Sequence, residues 1–138
     1  MNFLAAGGKD SVQSPLQAAL RRRDPRAKEE REAAEEGVAL DTSRLELSKV
    51  ERAFIDGEEE GFAEIYTRKG TGQIAGATLV AAHAGEMISE LTLAITSKLT
   101  MEALAETVHC YPTQAEVFQR IALEYLQSVK QTAKRWAA

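Results

Sequence analysis

The sequence predicts an α+β domain in which helices cover an antiparallel sheet, preceded by a charged helical extension. Three observations support this fold class: a hairpin pattern over residues 62–81, apolar residues at helical spacing after residue 84, and a change of composition near Gly37. Residues 1–37 are therefore assigned to the extension and residues 38–138 to the domain. A chain of 138 residues with 44% apolar content can bury one core without disulfides or metals.

The extension carries two patterns that favour the start of a helix. Ser14–Pro15 and Asp24–Pro25 each place an N-cap residue before a proline at the first helical position. The second pattern predicts a charged helix over residues 26–36 that ends at Gly37. This helix has few apolar residues to bury, so we interpret it as a surface helix or a mobile arm. Residues 1–13 show no periodicity and are expected to lack regular structure.

The sequence of the first part of the domain predicts short strands and a short helix. Residues 38–40 and 44–47 are interpreted as two short strands. Ser48–Glu51 has the spacing of a capping box, in which a serine and a glutamate satisfy the free N–H groups at a helix start. The helix is predicted to run to Ile55 and to stop at an Asp-Gly pair.

A β-hairpin is the most definite β-structure in the sequence. Residues 62–69 combine β-forming side chains with alternation, and Gly70–Gly72 supplies a turn. Residues 73–81 are the predicted return strand. One face of the first strand carries Ala63, Ile65 and Thr67. The pattern therefore predicts an antiparallel pair of strands.

Three helices are predicted after the hairpin. The first has an apolar face at helical spacing, formed by Ala84, Met87, Ile88, Leu91, Ala94 and Ile95. Thr100 caps the second helix. Its apolar stripe is Met101, Leu104 and Val108. Pro112 then interrupts the chain, and Thr113–Glu116 is a second capping box that begins the last helix. The inner face of that helix is predicted to carry Val117, Ile121, Tyr125 and Val129.

Composition argues against several functional classes. A net charge of −4 and a pI near 5.3 disfavour nucleic-acid binding, which usually requires a basic face. Cys110 is the single cysteine, so no intramolecular disulfide can form. No apolar run reaches the ~20 residues that span a bilayer, and no secretory signal pattern occurs at the start. We therefore expect no membrane partner and an intracellular protein, cytoplasmic by default, with an organellar transit peptide as the alternative.

Chemically active side chains are concentrated in the segment before the last helix. His109, Cys110, Tyr111 and Glu116 follow one another closely there. Each also has a structural interpretation. The glutamate can cap a helix, the histidine can donate to exposed carbonyls, the cysteine can pack as a small buried residue, and the tyrosine can pack as an aromatic.

Elsewhere the sequence offers little catalytic or metal-binding pattern. No G-x-G-x-x-G turn follows a strand, and there is no P-loop, paired-cysteine metal site or G-x-S-x-G elbow. His83 and Glu86 stand at the start of a predicted helix, where capping and solvation are favoured over catalysis as an interpretation. The residues alone therefore predict neither a bound cofactor nor a metal.

Three motifs nevertheless occur in order: GQIAGATLV at residues 72–80, HAGEMI at residues 83–88, and YPTxxE at residues 111–116. Together they resemble the C-terminal dimerisation domain of the FAD-dependent pyridine nucleotide–disulfide oxidoreductases. The resemblance covers residues 38–125 and points in particular to members similar to mercuric reductase; dihydrolipoamide dehydrogenase belongs to the same family. It implies an α+β domain that forms a homodimer interface.

The resemblance also implies site residues. In this family the last motif, usually H-P-T-x-x-E, enters the partner subunit's active site, where the histidine is an acid/base beside a redox disulfide and the glutamate orients it. By position, Tyr111 takes the place of the histidine and Glu116 that of the glutamate, with His109 two residues earlier. These residues would be catalytic only in trans. The implied interface residues are His83, Glu86, Met87, Glu90, Leu91, Cys110, Pro112 and Thr113.

Two departures limit what the resemblance implies. A phenol, with an ordinary pKa of about 10, is a poor general base near neutral pH, which puts dithiol exchange assisted by Tyr111 in doubt. The family's FAD domain, NAD(P) domain and C-x-x-x-x-C pair have no counterpart before residue 38, and the first strand of the domain has none either, which would expose a sheet edge. We therefore expect a homodimeric, stand-alone dimerisation domain that binds neither FAD nor NAD(P) alone and is not catalytic by itself.

Two alternatives stay open. One is the C-terminal piece of a split or truncated FAD-dependent NAD(P)H disulfide or mercuric reductase, which supplies Tyr111, His109 and Glu116 to a separate FAD/NAD(P)-binding chain. The other is a structural subunit of a larger assembly, docked through residues 1–37.

Overall fold

A four-stranded sheet organises the part of the chain that the computed structural model describes, residues 4–6 and 39–136. The strands are β1 Leu4–Ala6, β2 Leu40–Glu46, β3 Phe62–Arg68 and β4 Ile74–Val80. Their order across the sheet is β1–β4–β3–β2. β2, β3 and β4 are antiparallel, while β1 runs parallel to β4. The predicted α+β fold with an antiparallel sheet is confirmed.

Helices cover the sheet. Within the described ranges the α-helices are α1 Glu51–Asp56, α2 Ala84–Thr96, α3 Met101–Glu106 and α4 Glu116–Trp136, and a 3₁₀ turn spans Leu47–Lys49. α2 packs on β4, α3 packs on α4, and α4 contacts β2 and β3. One apolar core joins all of these elements, from Leu45 in β2 to Ala122 in α4.

The predicted hairpin of β3 and β4 is confirmed. Its turn places Gly70 and Gly72 at φ values of +81° and +65°, a left-handed backbone that glycine adopts without strain. The return strand begins at Ile74 rather than one residue earlier, because Gln73 forms an isolated bridge with Thr100.

β3 is the most deeply buried strand of the hairpin. Its predicted inner residues, Ala63, Ile65 and Thr67, have no exposed surface. The opposite face is covered as well, since Glu64 and Tyr66 are also almost completely buried. β3 therefore lies inside the domain on both faces, which simple alternation did not indicate.

Two predictions before the hairpin are wrong. Residues 40–46 form one strand instead of two short ones, because the whole segment pairs with β3 in a continuous register. The Ser48 capping box does not form, since Ser48 lies in the 3₁₀ turn and Val50 precedes α1 without a side-chain cap. Leu47 and Val50 are fully buried, and their anchoring in the core sets the chain path here. α1 ends before Gly57, as the Asp-Gly pair predicts.

The expectation of no regular structure over residues 1–13 is wrong for Leu4–Ala6, which form β1. This strand pairs with Thr78–Val80 of β4. The sheet edge that we expected to be exposed is therefore covered along these three positions. The predicted helices after Pro15 and Pro25, and the remainder of the predicted extension, lie outside the described residues.

The predicted core face of α2 is confirmed. Its buried residues are Ala84, Met87, Leu91, Ala94 and Ile95. Ile88 is half-buried and packs against the same core. In α3 the predicted stripe holds for Met101 and Leu104, which are buried. The third predicted member, Val108, is 88% exposed because α3 ends two residues before it.

The last helix is longer than the core that it covers. Val117 and Ile121 are buried as predicted, and Tyr125 packs partly against the core. Val129 is wrongly predicted to face inward and is exposed, since α4 continues past the end of the sheet. The helix runs on to an exposed Trp136. None of the described helices is long and apolar enough to cross a membrane.

Candidate functional site

The segment from Thr107 to Ala115 joins α3 to α4 and carries the chemically active side chains. A cis peptide bond joins Tyr111 to Pro112. The Thr113 hydroxyl donates to the Cys110 carbonyl oxygen over 2.8 Å, which closes a turn around that bond. The predicted Thr113–Glu116 capping box is therefore wrong, because the hydroxyl that would cap the helix is used inside the turn.

Tyr111 stands on the surface with its hydroxyl bound. Tyr111 is 66% exposed, and its hydroxyl donates to Oε2 of Glu51 at the start of α1. This hydrogen bond, followed by desolvation and the negative charges of Glu51 and Glu116, raises the pKa of the phenol above its ordinary value, against an opposing effect of Arg120. Tyr111 is thus a protonated hydrogen-bond donor at neutral pH rather than a base.

Glu116 begins α4 and is held by a cation one helical turn later. Its Oε1 accepts from Nε of Arg120 over 2.7 Å, and Arg120 Nη1 donates to the Lys49 carbonyl oxygen, also over 2.7 Å. The other carboxylate oxygen, Oε2, is buried and has no hydrogen-bond partner among the described residues. No hydrogen bond links Glu116 to Tyr111 within the described ranges, so the family-derived pairing of these two positions is not formed here.

His109 is turned toward α2 instead of toward Tyr111. Its Nε2 lies 2.8 Å from Glu90 Oε1, and its Nδ1 lies 3.2 Å from the Thr107 carbonyl oxygen. The side chain of His109 is only 6% exposed. The structure therefore brings together two residues that the sequence pattern singled out separately, His109 and Glu90.

His83 takes part in a second polar cluster. Its Nε2 lies 3.2 Å from Glu58 Oε2, and the same oxygen accepts from Gln114 Nε2 over 2.9 Å. Gln114 is almost completely buried, so this contact anchors the segment from Thr107 to Ala115, called the Tyr111 segment below, to the loop after α1. Glu86, in contrast, is exposed in the first turn of α2.

The predicted interface residues are His83 and Glu86, which are exposed, Glu90, which is half-buried, and five others. Met87 and Leu91 are buried in the domain's own core and are not accessible in this chain. Cys110 is exposed, and Pro112 and Thr113 are half-buried in the same segment. The surface of this region thus consists of the segment itself and of the outward side of α2.

Four residues of the site were not predicted from the sequence: Glu51, Glu58, Gln114 and Arg120. Glu51 and Glu58 lie 60 and 56 residues from their partners Tyr111 and Gln114, so no local pattern could connect them. Arg120 did leave a signal, because oppositely charged residues four positions apart on a helix commonly pair.

The described residues offer no cluster of metal ligands. They contain no group of three or more His, Cys, Asp and Glu side chains placed to hold a metal. A cavity of about 160 Å³ lies between β2 and α4, and none of the predicted site residues lines it.

Comparison with known proteins agrees with this arrangement of strands and helices. The family model described as "Pyridine nucleotide-disulphide oxidoreductase, dimerisation domain" matches residues 28–122. A dihydrolipoyl dehydrogenase from Chlamydia muridarum is 37% identical over 91 residues, which cover 66% of this chain and 20% of that protein. A mercuric reductase from Streptomyces lividans is 35% identical over 100 residues, which cover 72% of this chain and 21% of that protein.

Solved structures show the same fold. LpdA from Mycobacterium tuberculosis superposes with a TM-score of 0.64 at 28% identity, over 70% of this chain and 21% of LpdA. The flavoprotein disulfide reductase RclA from Escherichia coli superposes with a TM-score of 0.62 at 20% identity, over 67% of this chain and 21% of RclA, and shows the fold alone. This chain spans about a fifth of the length of these relatives. The resemblance of the three motifs is confirmed, and the chain belongs to the pyridine nucleotide–disulphide oxidoreductase family through its dimerisation domain.

Proposed function

We propose that this chain is a dimerisation module that pairs with a second copy of itself and is not catalytic alone. The observation that carries the proposal is the exposure of large apolar side chains on α1, on α2 and in the segment around the hydrogen-bonded Tyr111, which we infer form one surface. We call it the Tyr111 surface; its residues are Phe54, Ile55, Leu93, Val108 and Tyr111. The least exposed of them, Ile55, is still 60% exposed. Large apolar side chains exposed in such a group commonly mark a protein–protein contact.

On one side, α1 supplies the apolar residues. Tyr111 is bound to Glu51, and Phe54 and Ile55 follow Glu51 by three and four positions. Residues at this spacing share one face of a helix, so both apolar side chains project on the side of α1 that carries Tyr111. The phenol and these two side chains supply the large aromatic and aliphatic contacts that are enriched at interface centres.

On the other side, α2 supplies Leu93. The contact between His109 and Glu90 fixes the segment to α2, and Leu93 follows Glu90 by three positions. Val108 is adjacent to His109 in the chain and is directed to solvent. The segment therefore connects the apolar residues of α1 with those of α2. We propose that Cys110, Pro112 and Thr113 lie in the same interface, while His83 and Glu86 stay predictions at the start of α2.

A second copy is the proposed partner because the matched domain is the one through which this family dimerises. The driving force is apolar burial, worth roughly 25 cal/mol for each Å² removed from water. Each copy carries a net charge of −4, so long-range electrostatics oppose pairing. Added salt screens that repulsion and should not weaken the dimer.

Light scattering of the purified chain, from low to high micromolar concentration and with a reductant for Cys110, tests the proposal. We expect a dimer. Leu93→Lys and Val108→Lys place a charge in the interface and should shift the chain to monomer, while Val129→Lys, at an exposed apolar position outside the Tyr111 surface, is the matched control. A monomer at every concentration, or disruption by the control as strong as by the two test variants, would refute the proposal.

A second function is favoured by the accessibility of Tyr111. An exposed, protonated phenol beside a free cysteine is available to a separate chain. In this function the chain supplies Tyr111, Glu116 and His109 in trans to an FAD/NAD(P)-binding flavoprotein of the same family. A flavoprotein shortened before its own dimerisation domain should then gain NAD(P)H-dependent disulfide reduction on addition of this chain. Wild-type and Tyr111→Phe chains that bind equally but give the same activity would exclude a chemical role for the phenol.

A further inference from the structure

We propose that Glu51 of α1 is the carboxylate that positions the hydroxyl of residue 111, while Arg120 holds Glu116 out of that role. The inference rests on the proposed function, because it takes Tyr111 as the position that a partner meets. It concerns residues of this chain alone and can be tested without a partner. Glu51 and Arg120 would then be positioning residues for Tyr111, a role that the sequence motifs did not assign to them.

The first step is the direction of the phenol. Tyr111 Oη donates to Glu51 Oε2, and the ring is otherwise largely exposed, so this hydrogen bond is the described contact that fixes where the hydroxyl points. Glu51 is the first residue of α1, and it is placed by Val50 just before it, whose side chain is fully buried. The acceptor is therefore attached to the core through its own backbone.

The second step is the capture of Glu116. Arg120 binds Glu116 Oε1 through Nε and the Lys49 carbonyl oxygen through Nη1, each over 2.7 Å. A guanidinium group with its donors fixed at two points is a rigid clamp, and it neutralises the carboxylate that it holds. Glu116 is mostly buried, with 15% of its side chain exposed, so turning it away from Arg120 would cost a hydrogen bond and leave its charge uncompensated.

The third step is the chemical consequence. Both carboxylates near the phenol disfavour its ionisation, Glu51 most strongly because it accepts the hydroxyl hydrogen, whereas Arg120 favours it. The groups facing Tyr111 from the packed elements are thus Glu51 in α1, and Glu116 and Arg120 in α4. In this arrangement the hydroxyl of Tyr111 donates a hydrogen bond to Glu51, which fixes its direction. It does not share a proton with Glu116.

Phenol ionisation measured on the intact chain separates the two arrangements. The chain contains three tyrosines, so we would label the ring carbon Cζ of tyrosine with ¹³C and assign the Tyr111 resonance with Tyr111→Phe. Each variant is titrated with pH while circular dichroism confirms that it stays folded. We expect Glu51→Gln to lower the ionisation midpoint of Tyr111 and Arg120→Gln to raise it, with Arg120→Lys restoring part of the wild-type value. Glu116→Gln should lower the midpoint less than Glu51→Gln, and Glu59→Gln, an exposed control, should leave it unchanged.

Two results would overturn the proposal: a larger decrease in Glu116→Gln than in Glu51→Gln, or no decrease in Glu51→Gln. If Glu51→Gln does not fold, Glu51→Asp replaces it, because a side chain shortened by one methylene should no longer reach the hydroxyl and should also lower the midpoint. The same samples give the molecular mass by light scattering. A monomer with the expected order of midpoints would refute dimerisation alone, while a dimer with the reversed order would refute the role of Glu51 alone.

Discussion

His109 Nε2 lies 2.8 Å from Glu90 Oε1 and joins the Tyr111 segment to the middle of α2. The two residues are separated by 19 positions in the chain. Because the histidine side chain is nearly buried, the contact is shielded from solvent more than a surface ion pair is. It thereby holds the segment against the domain, while Gln114 holds the far end through Glu58.

Removal of either partner of this contact should destabilise the domain. We expect His109→Ala and Glu90→Ala each to lower the free energy of unfolding by about 1 kcal/mol, the usual cost of a lost side-chain hydrogen bond. Because each variant removes the same contact, the double variant should cost less than the sum of the two. Urea denaturation monitored by circular dichroism measures all three. Strict additivity would mean that the two side chains act independently.

Acid should remove a second stabilising contact, between Arg52 and Asp56 at 2.7 Å. The Arg52 hydrogen bond lowers the pKa of Asp56 below its ordinary value of 3.8. A carboxyl whose pKa is lower in the folded state stabilises that state above its unfolded pKa, and the stabilisation is lost as pH falls through the folded value. Arg52→Gln should therefore be less stable than wild type at pH 7, and the difference should shrink as the pH falls below 3.8. Urea denaturation at several pH values measures it, and a difference that is constant with pH would contradict this assignment.

Periodicity was sufficient to predict most of the fold. The hairpin of β3 and β4 and the core face of α2 follow from the β-forming side chains, the turn glycines and the helical spacing, which are local signals, although alternation did not indicate that both faces of β3 are buried. The Ser48 and Thr113 capping boxes were wrong for a shared reason. In each place a competing interaction decides the path: burial of Leu47 and Val50 in the first, and a hydrogen bond to Cys110 in the second.

The candidate site was predictable only in part. The position of Tyr111 and Glu116 in the chain follows from the motif, but their hydrogen-bond partners do not. Glu51 reaches Tyr111 only because α1 packs beside the segment that joins α3 to α4, and such a long-range contact leaves no local pattern. Val108 is a further example. Its apolar side chain was predicted to continue the stripe of α3, but α3 ends before this residue.

Gly61 should tolerate a side chain poorly. Its φ is +127°, and a Cβ there would lie 1.9 Å from the carbonyl oxygen of Val80 in β4. Gly57, at φ +67° with open space around it, is the matched control. We expect Gly57→Ala to cost about 1 kcal/mol from the left-handed backbone alone. Gly61→Ala should cost clearly more, because the two backbones must separate, and equal thermal unfolding temperatures for the two variants would contradict the close approach.

Substitutions of the two leucines of α2 should distinguish an effect on the stability of the fold from an effect on dimerisation. Leu91 is fully buried in the core and Leu93 is exposed on the Tyr111 surface, although only two positions divide them. Leu91→Ala should lower the free energy of unfolding by roughly 2–5 kcal/mol, because it leaves a cavity in the core. Leu93→Ala should change it by less than about 0.5 kcal/mol at a concentration where the chain is monomeric.

The association of the two variants should show the opposite order. Leu93→Ala removes apolar area from the proposed interface and should raise the dissociation constant of the dimer, whereas Leu91→Ala should leave it near the wild-type value as long as the domain stays folded. Urea denaturation at low concentration and light scattering across a concentration series provide the two measurements. If Leu93→Ala leaves the dissociation constant unchanged, the outward face of α2 is not part of the contact, and the interface must be sought on α1 and the Tyr111 segment alone.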